Sequence, residues 1–148
     1  MYRFLHSVAA MSLVAGLAAC QTTTSEPPTP QSALSYPALV ADTRVFFLET
    51  AVASMIIDRC PDERLQWAAG TRLAAIHGFS RSNQQKGYAK AQTDRAYNEV
   101  LAARPTGEEV LSALRARVDK PTDGASACAA ARKEIAAGTR IGSMLRFG

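Results

Sequence analysis

Beyond residue 38, the side chains whose types could do chemistry are Cys60, Cys128, Glu49 and His77. A cysteine pair can hold a metal, exchange electrons or close a disulfide. Structural metal sites want four ligands, and this region has a single histidine and no cysteines at finger spacing. Redox motifs place their cysteines close together in sequence. An even pair in an oxidising compartment instead predicts one structural disulfide. In the chain-entropy model, closing so long a loop stabilises by roughly 4 kcal/mol, a large share of a small domain's stability. No metal and no other cofactor is expected. His77 could act as a base, but no Gly-x-Ser-x-Gly elbow, His-Glu-x-x-His pair or phosphate-cradling loop accompanies it. A position on the flank of a helix is the plainer reading.

The remaining cysteine, Cys20, ends the stretch LVAGLAAC. Arg3 and the amino terminus precede an apolar run, Val8 to Ala19, interrupted only by Ser12, and small residues lead into the cysteine. This is the pattern of a bacterial export signal. Its core is too short for a membrane span, which takes ~20 apolar residues. Leu17-Ala18-Ala19-Cys20 resembles the lipobox of bacterial lipoproteins. The resemblance implies a signal peptide over residues 1–19, cleavage before Cys20, a diacylglycerol on its thiol and a further acyl chain on the new amino terminus. Three acyl chains, at ~0.8 kcal/mol per buried methylene, make a permanent hold. Gln21 after the cysteine implies sorting to the outer membrane, with the domain facing the periplasm. The competing reading is an ordinary secretory signal that happens to contain a cysteine.

Residues 20–38 are then a lipidated cysteine and a flexible tether. From Gln21 to Ala38 the chain is Thr, Ser and Pro-rich, with Leu34 and Tyr36 as its large apolar side chains, too few to offset the entropy of ordering. Such a tether reaches ~20 to 25 Å. Residues 39–148 remain, enough for one domain. The chain carries 17 basic and 13 acidic residues, and no run of cations occurs. Nucleic acid is therefore not an expected partner.

The pattern from residue 39 onward predicts an all-α fold, a small bundle of four to five helices clamped by one disulfide. No run alternates with period two, and Ala, Arg, Leu and Glu dominate. Asp42 or Thr43 can open a first helix ending at Cys60-Pro61. Pro61 suits the first turn of a second, whose face is Leu65, Ala69, Leu73 and Ile76 and which stops near Lys86-Gly87. A third spans about Tyr88 to Ala103. Thr106-Gly107-Glu108-Glu109 is a capping box that launches a fourth.

In the closing segment, Cys128, Ala131, Ile135, Gly138, Gly142 and Leu145 recur at helical spacing along one seam. Glycine costs a helix about 1 kcal/mol relative to alanine, so Gly138 and Gly142 on that seam predict close helix packing. Continuity of the helix is the reading adopted. The alternative is that Gly138 ends it and Thr139 caps a short final helix.

On the first two helices, Glu49 and Arg72 both fall on apolar faces. In an antiparallel hairpin turning at Cys60-Pro61 they come opposite each other, which predicts a partly buried interhelical ion pair. Glu49 as a general acid in a cleft is the functional alternative. Trp67 projects away from the Leu65 and Ile76 face and either seats another part of the fold or offers an aromatic anchor to a partner.

Arg59-Cys60-Pro61, Lys86-Gly87-Tyr88 and a closing signature running from Cys128 through Arg132, Glu134, Ile135, Gly138 and Gly142 to Arg146 carry one further resemblance. Over about residues 43–146 the chain resembles a family of short exported alphaproteobacterial proteins catalogued as a domain of unknown function. The resemblance implies export and the paired cysteines, and no activity.

The function expected from these residues is a non-enzymatic envelope interaction or accessory module, anchored by Cys20 and meeting an envelope protein partner. A binder of a small apolar ligand or lipid is the alternative. A cell-wall hydrolase acting through Glu49 or His77 comes third. A pocket of several hundred cubic ångströms with apolar walls favours the binder.

Overall fold

The computed structural model describes residues 34–62 and 64–148; Cys20, the signal and most of the tether lie outside these. The described chain is mostly helical, and one long helix organises it. Helix α1 runs Tyr36–Arg59, with Pro37 in its first turn, where a missing N–H costs nothing. It therefore begins within the stretch assigned to the tether. Its buried side is Leu39, Thr43, Phe46, Phe47, Thr50, Val52, Ala53 and Ile56. The two buried threonines are satisfied within the helix: Thr43 Oγ1 donates to the Leu39 carbonyl at 2.7 Å and Thr50 Oγ1 to that of Phe46 at 2.6 Å.

Beyond Cys60 the chain does not turn straight into a second helix. Leu65–Trp67 forms a short strand, β1, which pairs antiparallel with β2, Leu145–Phe147, in the register Leu65↔Phe147, Gln66↔Arg146, Trp67↔Leu145. Helix α2 (Arg72–Gln85) starts only after Gly70, at φ +86°, and is capped by Thr71 Oγ1, which accepts from Ala74 N at 3.0 Å. Expectation and structure differ here because a three-residue strand leaves no periodic signal, and its partner lies at the other end of the chain.

Helix α3 (Lys90–Ala102) follows Gly87, at φ +107°. Helix α4 (Gly107–Arg115) opens on the expected capping box: Thr106 Oγ1 accepts from Glu109 N at 3.2 Å while Thr106 N donates to Glu109 Oε2 at 2.7 Å. Helix α5 (Gly124–Ala136) is capped by Asp123, which accepts from Ser126 N at 2.9 Å. The closing segment is not one helix. Gly138, at φ +61°, ends α5, and Thr139 caps α6 (Arg140–Met144) by accepting from Gly142 N at 3.0 Å.

Helix α1 packs against α3, α4, α5 and α6. The core between them includes Val52, Ala53, Ile56, Leu114, Val118 and Ile141, all nearly inaccessible. Trp67 is partly buried against this core. No helix among the described residues is long and apolar enough to cross a membrane.

Candidate ligand-binding cleft

The two glycines of the closing segment do different things. A Cβ on Gly138 would meet nothing within 4 Å, so its role is conformational, the positive φ that ends α5. A Cβ on Gly142 would lie 2.0 Å from the Glu134 carbonyl oxygen, so here α6 touches the backbone of α5. Thr139 Oγ1 also hydrogen-bonds the Glu134 carboxylate. The chain thus folds back sharply, and Arg140, first residue of α6, is carried onto α1.

There Arg140 Nη2 lies 2.8 Å from Asp42 Oδ1, and its Nε lies 3.3 Å from Glu49 Oε2. The anticipated Glu49–Arg72 pair does not form. Arg72 is exposed in the first turn of α2, because β1 and the turn at Gly70 carry α2 away from the hairpin geometry the pairing required. Glu49 Oε2 is buried with no aligned hydrogen-bond donor among the described residues, so Arg140 offers it charge at short range rather than a directed bond. Burial raises the Glu49 carboxyl above the usual carboxylate range; Arg140 and then Arg117 pull it down, and Asp42 and Glu134 push it up again.

Beside this cluster α1, α2 and α6 border an open cleft of about 330 Å³. Phe46, Phe79, Ala75, Gly78 and Met144 supply its apolar walls, and Asp42, Lys86, Arg140 and two serines, Ser82 and Ser143, its polar ones. Phe46 and Phe79 stack with centroids 4.0 Å apart and planes at 8°. Lys86 Nζ donates to Asn83 Oδ1 at 3.2 Å and stands 3.9 Å from Asp42. A pocket with apolar walls and a few convergent polar groups suits a small organic ligand.

Cys60 and Cys128 are joined as a disulfide, with Cα atoms 4.9 Å apart and a sequence separation of 68. His77 is exposed and borders a separate hollow with Leu73, Thr93, Asp94 and Tyr97. Sequence reasoning passed over Arg140, Asp42 and Lys86. The signal for Arg140 was present in Gly138-Thr139, a helix stop followed by a cap, which places the next residue at the head of a new helix.

A family model described as "Family of unknown function (DUF5333)" matches residues 39–146. The chain belongs to this family. No curated protein and no solved structure matches it. In this DUF5333 member the matched region begins on α1 at Leu39 and ends in β2 at Arg146, so it takes in the disulfide, the cleft and the Arg140 cluster together.

Proposed function

We propose that this DUF5333 chain is an exported, non-enzymatic binding module, held at the outer membrane through acylated Cys20 and facing the periplasm, which takes up a small ligand with a substantial apolar part. The observation that carries the reading is the cleft of about 330 Å³ between α1, α2 and α6, whose lining combines Phe46, Phe79 and Met144 with Asp42, Lys86 and Arg140. A small ligand is favoured over a protein partner because the cleft supplies a concave site with apolar walls and a few convergent polar groups. A hydrolase draws no support from Glu49, whose inner oxygen is buried beside Arg140, nor from His77, which stands outside the cleft.

Two measurements test this. Fractionation of cells making the wild type and Cys20→Ala should find the first membrane-bound and the second soluble; the same fraction for both ends the anchoring claim. For the cleft, wild type and Gly78→Leu are purified and their organic extracts compared by mass spectrometry. Gly78 lines the cleft, and a Cβ there meets nothing within 4 Å, so a side chain at this position starts into open space. A small molecule carried by wild type and lost from Gly78→Leu is the expected result. Identical extracts would overturn the reading.

A further inference from the structure

Helix α2 stands over more than one space. Under it is a small space of about 20 Å³, among whose lining residues are Phe47, Ile76, Phe79 and Asn83, and on its α3 side is the hollow of about 230 Å³ bordered by Leu73, Ile76 and Tyr97. Phe79 lines both the cleft and the void, and Ile76 lines both the void and the hollow. The three spaces therefore adjoin along α2, the cleft meeting the void at Phe79 and the void meeting the hollow at Ile76, Ser80, Thr93 and Tyr97. Helix α2 buries only Asn83 completely, and glycines at positive φ flank it at both ends, Gly70 and Gly87. A helix held by so few buried side chains is drawn from the low-stability end of a fold, where local opening is easiest.

The band carries its cations at one end, and at the other the hollow sets Leu73, Ile76 and Tyr97 beside His77, Thr93 and Asp94. At the cleft mouth Lys86 and Arg140 face a single acid, Asp42. Glu49 is not among the lining residues. With Nη2 close to Asp42 and Nε close to Glu49, the guanidinium is held at the cleft by charge rather than by directed bonds, which leaves donors for a ligand oxygen. At the far end Leu73 is 59 % exposed, a large apolar side chain without cover.

From this we propose that the ligand is a single-chain anionic amphiphile, its carboxylate or phosphate head at Arg140 and Lys86 and its hydrocarbon chain running beneath α2 past Phe79 and Ile76 toward Leu73. The proposal rests on the cleft reading above and adds the class of ligand. Entry requires Phe79 to give up its stack on Phe46 and α2 to rise between its glycines.

The test uses the full mature chain carrying Cys20→Ala, which has no thiol there to acylate. It is titrated calorimetrically with laurate, dodecyl phosphate and dodecyltrimethylammonium, each below its micellar concentration. Saturable binding of both anions is expected, at least about tenfold tighter than the cation, as one lost charged contact is a factor of that order. Lys86→Gln should weaken the anions by a similar factor, Gly78→Leu should abolish binding, and bound laurate should slow amide exchange along α2. Equal affinity for the cation, or unchanged binding by Gly78→Leu, overturns the proposal. The two readings fail separately: a co-purified ligand of another class, lost from Gly78→Leu, sinks the amphiphile and keeps the cleft, whereas identical extracts sink the cleft.

Discussion

Arg140 and Glu49 meet across the junction of α6 and α1, nitrogen to oxygen at 3.3 Å, though ninety residues of chain separate them. Glu49 is the more enclosed, with 18 % of its side chain accessible against 40 % for Arg140. Removing the cation strands a buried carboxylate, which costs more than losing both partners. Arg140→Met should lower unfolding free energy by about 2 kcal/mol, and adding Glu49→Leu should restore most of it, whereas Arg72→Ala should stay within about 0.5 kcal/mol of wild type. Urea unfolding of the four proteins checks this; strictly additive losses would remove the coupling.

The pH dependence follows from opposite shifts. Glu49 is raised by burial, so the native chain keeps that proton to higher pH than the unfolded chain, and stability falls as pH rises from the ordinary carboxylate value through the raised one. Asp62, Glu109 and Asp123 are lowered, through hydrogen bonds from Arg64, Thr106 and Ser126 in turn, and their contribution is lost as pH falls through the depressed values. Melting temperature should therefore peak in the mildly acidic range. Glu49→Gln should flatten the decline on the neutral side and leave the acid side unchanged. A scan from about pH 3 to pH 8 that rises throughout, for wild type and variant alike, would contradict this assignment.

The two glycines of the closing segment should rank differently. Gly142→Ala drives a methyl against the Glu134 carbonyl, which is backbone and cannot step aside, so α6 must part from α5 at a cost of about 3 kcal/mol. Gly138→Ala pays only for its left-handed φ, about 1 to 2 kcal/mol. Thermal denaturation of the pair should place Gly142→Ala lower; the reverse order would mean that the fold-back is not tightly packed.

Replacing Cys60 and Cys128 together by alanine should reduce stability by roughly 4 kcal/mol, the loop-closure value for 68 residues of separation. Guanidinium unfolding of this variant beside oxidised and reduced wild type measures it. Reduced wild type should approach the variant, and indistinguishable midpoints for all three would deny the clamp a stabilising role.

The helical class, the capping box at Thr106 and Glu109 and the Cys60–Cys128 bond were legible because each depends on near neighbours or on simple parity. What the sequence hid depends on contacts between distant segments. Leu65 looks like part of a helix face, and Trp67 like its opposite side, until Phe147 and Leu145 pair with them, since three residues carry no period. That misassignment propagated: once β1 diverts the chain, Arg72 no longer comes opposite Glu49. The cleft was hidden for a related reason, since Asp42, Phe79 and Arg140 belong to separate helices and nothing local to any of them points at the others.

The length of α1 has a mechanical consequence. Its 24 residues make a rod of about 36 Å, entered from residue 34 and welded at its far end, through Cys60, to α5. Tension applied at the entry point travels along the rod and crosses the sulfur bridge directly, bypassing β1, α2 and α3. Helix α2, over the cleft, thus lies off the covalent shortcut that joins α1 to α5.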